Sequence, residues 1–188
     1  MRHENRNMKI ERLAIPDVIL ITPKKFVDAR GFFSETWNER ALTDAGIAAR
    51  FVQDNHAASA AKGTVRGLHY QVAPMAQDKL VRVTRGAVLD VAVDIRRGSE
   101  TFGRHVTAVL SVENWAQLWV PKGFAHGYCT LEPDTEVIYK VTEYYSPVHD
   151  RGLQWDDPAL GITWPVTSAS ALLSDKDKMQ PKLASLSL

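Results

Sequence analysis

Three side chains stand where ordinary strand patterning does not ask for them: His69, Lys79 and Tyr139. His69 lies in VRGLHYQ (65–71), just after Arg66 and Gly67. It reads as a satisfied structural residue, a metal ligand or a catalytic base. Lys79 opens KLVRVT (79–84) and shares a strand face with Val81 and Val83. Lysine is seldom buried without a partner. Asp90 and Asp94 share a face of AVLDVAVDI (87–95) with Ala92, and either could pair with Lys79 across a sheet. Tyr139 alternates with Val137 and Val141 in TEVIYKVT, so its face reads as inward and its hydroxyl needs a partner. An imidazole can take a proton, an ammonium can hold developing negative charge, and a phenol can return a proton.

These residues need elements to position them. The chain reads as short β-type runs separated by turns: DVILITP (17–23), KLVRVT, AVLDVAVDI, HVTAVL (105–110), AQLWVP and TEVIYKVTEYY (135–145). HVTAVL and AQLWVP, joined across SVEN, read as a hairpin. One segment, NERALTDAG (38–46), reads as a helix with Gly46 placed to stop it. Many strands and little helix predict an all-β sandwich or closed barrel, with ligands at its mouth.

The metal reading of His69 can be tested on spacing. A β-barrel with glycines at its turns suggests the cupin group. PKGFAH (121–126) fits the second cupin motif, P-x-G-x-x-H. The first motif normally supplies His-x-His and a later Glu. The equivalent stretch, RGLHYQVAPMAQDK, has one histidine and no glutamate. Two histidines are a poor metal set, and a nearby lysine would repel a cation.

Composition narrows the remaining classes. The 188 residues suffice for one domain with a substantial core, and the net charge of +1 gives no sign of a nucleic-acid-coating surface. No run approaches the roughly 18 apolar residues of a membrane span. MRHENRNMKI lacks the apolar stretch of a signal peptide. Cys129 is the only cysteine, which excludes an intrachain disulfide. A soluble cytoplasmic protein is expected, with residues 1–7 a disordered extension and 8–188 one domain.

Eight segments together carry a resemblance. They are DARGFFSETWN (28–38), FVQDNHA (51–57), RGLHYQ (66–71), QDKLVRV (77–83), DVAVDIRRGSETFGRH (90–105), LWVPKGFAHGY (118–128), VIYKVTEYYSP (137–147) and LSDKD (173–177). In this order they resemble the dTDP-4-dehydrorhamnose 3,5-epimerase family, metal-free sugar-nucleotide epimerases of dTDP-rhamnose synthesis. The resemblance implies a cupin-like jelly-roll β-barrel with a few short helices, a homodimer, no cofactor and no metal. It implies a dTDP-4-keto-6-deoxy-hexose substrate and a place in carbohydrate biosynthesis such as that of lipopolysaccharide. It also assigns roles: His69 as base, Asp177 as the carboxylate orienting it, Tyr139 as acid, and Lys79 beside the substrate oxygen. His126 belongs to the GFAHG loop, where it would hydrogen-bond the sugar or the enolate, or simply fix the loop. Substrate contacts map onto Arg30, Glu35, Gln53, Asn55, Arg66, Asp150 and Lys176. A tyrosine of the Tyr144-Tyr145 pair should stack on the thymine, and Tyr145 is preferred.

Some of these roles have no independent sequence signal. Asp177 in SDKDK reads by itself as a surface charge. Arg66 and His69 would face opposite ways on a regular strand, unless Gly67 permits a bulge. Asp78 departs from the family's usual small residue, and alternation turns it away from the Lys79 face. His56, His105 and His149 read as structural or surface residues.

Overall fold

The computed structural model describes residues 7–186. The expected extension therefore lies outside the described residues except for Asn7, whose carbonyl accepts from the Lys24 amide at 2.8 Å.

Along the chain run β1 (Met8–Arg12), β2 (Ile19–Pro23), β3 (Phe26–Asp28), β4 (Gly31–Phe33), α1 (Glu39–Asp44), β5 (Gln53–Ser59) and β6 (Val65–Gln71). They are followed by β7 (Lys79–Arg85), β8 (Ala87–Asp94), β9 (His105–Ser111), β10 (Gln117–Val120), β11 (Phe124–Thr130), β12 (Thr135–Val141), β13 (Asp150–Gly152) and α2 (Asp175–Lys178). One sheet has the order β1-β2-β10-β7-β12-β5 and the other β13-β6-β11-β8-β9, while β3 and β4 form a separate ribbon. Every strand pairing is antiparallel, and the two sheets stack as a jelly roll.

Alternation accounts for the core between the sheets. Val81, Val83, Leu118 and Val137 point inward from the six-stranded sheet, against Val88, Ala92, Leu110 and Phe124 from the other. Burying each large aliphatic or aromatic side chain contributes about 1.5–3 kcal/mol. Lys79 continues the Val83–Val81 face to the end of β7, where apolar filling gives way to a cavity. Outside the sandwich, α1 buries Leu42 with Leu80 and Trp119 on the back of the six-stranded sheet. Asn38 caps α1, its side-chain oxygen accepting from the Ala41 amide at 3.0 Å, and Gly46 ends it at φ +86°. Leu153, Leu160 and Leu186 pack the C-terminal segment on the back of the five-stranded sheet. That segment returns along β6 through the Thr64–Leu172 bridge and delivers α2 to the cavity.

Two sequence expectations need correction. HVTAVL and AQLWVP form no hairpin: β9 pairs with β8, and β10 pairs with β2 and β7 in the opposite sheet. Asn114 does make a turn there, its side-chain oxygen accepting from the Ser111 and Ala116 amides, but the turn carries the chain across the sandwich. The strand expected over 135–145 stops at Val141. Beyond it, the Tyr145 and Ser146 amides donate to the side chains of Gln53 and Gln71 instead of to a neighbouring strand.

Candidate active site

The main cavity, about 470 Å³, opens between the sheets at the Lys79 end. His69 on β6 and His126 on β11 line it from the five-stranded sheet, where they are direct cross-strand partners. Lys79 on β7 and Tyr139 on β12 line it from the six-stranded sheet. Leu172, Leu173, Ser174, Lys176 and Asp177 close one side. A second recess of about 200 Å³ shares His69, Lys79, Tyr139 and Lys176, and adds Gln53, Asn55, Tyr145 and Asp150.

Arg66 and His69 converge because β6 is irregular. Arg66 is level with Tyr128 and His69 with His126, so the strand advances three residues while β11 advances two. The extra residue reverses the alternation and puts both side chains on the cavity wall. Gly67 makes this possible at φ +132°, and a Cβ there would lie 2.6 Å from the Gly127 Cα. The irregularity that Gly67 could permit is therefore present.

The His69 ring is fixed by Asp177. Its Nε2 donates to Asp177 Oδ1 at 2.5 Å, across 108 positions of sequence. Asp177 is 4% exposed, and Ser174 donates to its other oxygen at 2.9 Å. Burial pushes the Asp177 carboxyl up, but the His69 hydrogen bond and charge, helped by Ser174 and Lys176, hold it below the ordinary carboxylate range. The second imidazole nitrogen makes no hydrogen bond among the described residues and remains available for proton transfer.

Lys79 does not form the ion pair that its position suggested. Asp94 instead binds Arg96, Ser99 and Thr101, and Asp90 binds His126, whose Nε2 donates to Oδ1 at 2.8 Å. The contact Lys79 does make is long, from Nζ to the His69 carbonyl at 3.4 Å. Burial lowers its pKa to about 8, with Asp150 and Asp90 opposing the fall through space. Tyr139 is half-buried, and its pKa is raised by burial, with Arg66 opposing and Asp150 reinforcing. It is a neutral phenol at physiological pH.

The remaining predicted contacts divide into two groups. Gln53 donates to Asn55 at 2.7 Å on β5, and Asn55 is the cross-strand partner of Tyr139. Tyr145 donates to Asp150 at 3.1 Å, and Lys176 donates to the same carboxylate. Tyr144 lines neither cavity. Arg66 is held by Ser59 and the Ala58 carbonyl. Arg30 and Glu35 are not brought to the cavity. Arg30 sits at the tip of the β3–β4 ribbon, bonded to Asp28, and Glu35 follows that ribbon. Asp78 ties the Lys122 amide to the Thr142 hydroxyl, away from the reacting groups. His56, His105 and His149 have local partners in Glu136, the Leu160 carbonyl and Ser146.

Sequence reasoning missed Asp90 as the partner of His126, and Tyr128 as a cavity wall residue. Strand parity put Asp90 on one face with Ala92 and Asp94. It did not say which strand would lie beside it. Among the described residues, no three His, Cys, Asp or Glu side chains converge to hold a metal ion.

An imidazole oriented by a carboxylate therefore shares one cavity with a neutral phenol on the other sheet and a buried ammonium. Such a set can remove a proton from one face of a carbon and return one to the other. The chain matches the family described as dTDP-4-dehydrorhamnose 3,5-epimerase over residues 12–185. It is 56% identical over 183 residues to the enzyme of that name from Sinorhizobium fredii, spanning 95% of this chain and 91% of the relative. A Bacillus anthracis dTDP-4-dehydrorhamnose 3,5-epimerase, solved with TDP and PPi bound, superposes with a TM-score of 0.90 at 51% identity, covering 93% of this chain and 99% of that one. A Legionella pneumophila dTDP-6-deoxy-D-glucose-3,5-epimerase, solved with dTDP-4-keto-L-rhamnose, gives 0.91 at 44% identity, covering 95% and 94%. The chain belongs to the dTDP-4-dehydrorhamnose 3,5-epimerase family.

Proposed function

We propose that this isomerase epimerises carbons 3 and 5 of dTDP-4-keto-6-deoxy-glucose, in dTDP-L-rhamnose synthesis. The observation that carries the reading is the placement of the His69–Asp177 pair and Tyr139 on opposite walls of one cavity. The ketone acidifies the hydrogens on both neighbouring carbons. His69 takes one of them, the electron pair moves onto the ketone oxygen, and Tyr139 supplies a proton to the opposite face. The phenolate and imidazolium then reset by exchange with water. An α-proton of a ketone has a pKa of about 19 against about 6.5 for imidazole, a gap of roughly 17 kcal/mol. The base alone cannot close it. Lys79 is suited to hold the enolate oxygen, because a charge in a dry site acts more strongly than in water. Asp177 fixes the imidazole tautomer and stabilises the imidazolium that forms.

We assign Arg66 to a phosphate of the dTDP diphosphate, because a guanidinium matches phosphate oxygens with paired donors. Lys176, Asp150, Tyr145, Gln53 and Asn55 form the recess we assign to the nucleotide, with Tyr145 as the stacking surface. His126, held by Asp90, is assigned to the sugar.

The finer assignments are also proposals. We infer a homodimer from the β3–β4 ribbon, which leaves Val27 77% and Phe33 70% exposed, more apolar surface than a lone ribbon comfortably presents to water. A second copy receiving this ribbon would take Arg30 and Glu35 into its own cavity. No helix among the described residues is long and apolar enough to cross a membrane. We place the protein in the cytoplasm and treat 8–188 as one domain.

The test is incubation with dTDP-4-keto-6-deoxy-glucose in deuterated water, followed by NMR. Deuterium at carbons 3 and 5, with the inverted product, is the expected result. Deuterium at one carbon alone identifies a single-carbon epimerase. Tight binding without exchange identifies a non-catalytic binding module, and activity lost to a chelator identifies a metal-dependent cupin enzyme.

A further inference from the structure

The β3–β4 ribbon stands outside both sheets, and among the described residues its strands pair only with each other. What ties it to the sandwich is concentrated at one turn. Lys25 donates to the Val112 carbonyl at 3.0 Å, and Gln117 donates to the Thr36 carbonyl at 2.8 Å. Between them stands Trp115. Its indole N–H donates to the Ser34 hydroxyl at 2.9 Å. Phe32 meets the indole edge-on with ring centroids 5.0 Å apart, and the Lys25 ammonium lies 4.0 Å from its centroid. Three residues in or beside the ribbon therefore hold one side chain.

The core does not ask for that side chain. Trp115 is half-buried and belongs to none of the apolar clusters of the core. Its backbone is left-handed, at φ +59°, a conformation that bulky residues rarely adopt. The turn fixes it from both sides. The Trp115 amide donates to the Ser111 carbonyl at 3.0 Å, and the Ala116 amide donates to the Asn114 side-chain oxygen at 3.0 Å. An unfavourable backbone held this firmly points to a function. Here it delivers the indole to the ribbon.

The grip is one-sided. Phe32 takes the indole, while Phe26 and Phe33, cross-strand partners on the opposite face, stay 42% and 70% exposed. Arg30 at the tip bonds Asp28 of the same ribbon and does not reach its own chain's cavity. A ribbon pinned at its base along one face presents its other face and its tip in a fixed direction.

We propose that Trp115 is a positioning residue acting in trans: by pinning its own chain's ribbon, it seats the Phe26–Phe33 face on a second copy and Arg30 in that copy's cavity. The inference rests on the dimer reading above and adds to it the residue that aims the ribbon.

The experiment is subunit mixing. Trp115→Leu removes both the ring and its N–H, and kcat/KM should fall about 100-fold, the scale of an ångström's misplacement of a binding group. Trp115→Phe keeps a ring against Phe32 and Lys25, loses the Ser34 bond, and should fall only about 2- to 10-fold. Trp115→Leu chains unfolded and refolded with His69→Ala chains should regain about a quarter of native activity, because the intact ribbon of the His69→Ala chain serves the cavity that keeps His69. Trp115→Leu mixed with Arg30→Ala should regain none, because both lesions disable a ribbon and leave neither cavity served. Every other pattern overturns the proposal. Recovery with Arg30→Ala but not with His69→Ala would mean that Trp115 serves its own cavity, and recovery with both would make it a residue of general stability. No recovery with either, while Arg30→Ala and His69→Ala chains complement each other, would refute the role of Trp115 alone. Failure of that last pair would sink the dimer reading and the proposal with it. Thermal unfolding checks that Trp115→Leu folds. If it does not, Phe32→Leu breaks the same contact from the ribbon side and is mixed in its place, with the same outcomes.

Discussion

Lys79 should show opposite effects on activity and stability. Burial brings its pKa from 10.5 to about 8, which corresponds to about 3 kcal/mol spent keeping the buried ammonium charged. If that charge holds the enolate, kcat/KM must fall as Lys79 deprotonates. About nine-tenths of Lys79 is charged at pH 7 and about one-tenth at pH 9, so kcat/KM should drop roughly ninefold between them. Arginine stays charged throughout this range. Lys79→Arg should be less active, because the guanidinium is larger, but its profile should lose the alkaline limb near pH 8. Stability runs the other way. The folded pKa lies below the unfolded one, so below pH 8 both states bind the proton and the burial penalty is fully present. Between about 8 and 10.5 the unfolded state binds more protons, and native stability rises with pH. Above 10.5 the penalty is gone. Lys79→Met should therefore be more stable than the native chain at pH 7 by up to about 3 kcal/mol, with the advantage vanishing by about pH 10.5. Chemical denaturation across pH and steady-state kinetics measure the two effects. An alkaline limb that persists unchanged in Lys79→Arg, or a Lys79→Met chain less stable than native at pH 7, would refute the reasoning.

Further predictions concern the other groups. Asp177→Asn should keep the fold but lower kcat by roughly 100- to 10,000-fold, because the imidazolium loses its counter-charge; a change below fivefold in steady-state turnover would remove Asp177 from the mechanism. Tyr139→Phe should reduce product formation far more than deuterium exchange at the α-carbons, since abstraction by His69 survives without the acid; NMR reports both rates together. Gly67→Ala should destabilise the chain by about 2 kcal/mol or more in denaturant titration, given its φ of +132° and the Gly127 backbone in its way. Mixing Arg30→Ala with His69→Ala subunits, after unfolding and refolding together, should restore about a quarter of native activity if each ribbon serves the other copy's cavity. No recovery above the separate variants would place Arg30 elsewhere.

Strand alternation made part of the site legible. It put Lys79 on the Val81–Val83 face and Tyr139 on the Val137–Val141 face, and the structure has both facing the cavity. It could not place Arg66 beside His69, because period-two logic holds only while the register does, and β6 carries an extra residue between them. It could not find Asp177, whose partner is 108 positions away and whose own segment has no periodicity. The resemblance supplied that residue. The hairpin error has the same origin. SVEN specifies a turn, and a turn does not say whether the next strand joins the same sheet or the facing one.

Lys79 also clarifies why the site keeps its carboxylates at a distance. A direct Asp90 or Asp94 partner would hold the ammonium charged, but would cancel the field an enolate must feel. Without any carboxylate nearby, burial would lower the pKa further and leave a neutral amine. Asp150 and Asp90 act on Lys79 through space while bonded elsewhere, Asp90 to His126 and Asp150 to Lys176 and Tyr145. They keep the cation charged without neutralising it. The same fold places His69 and Tyr139 on separate sheets, and under the proposed roles of base and acid the stereochemistry of proton return follows from the sandwich itself. A rearrangement that brought His69 and Tyr139 onto one wall would retain exchange and lose inversion.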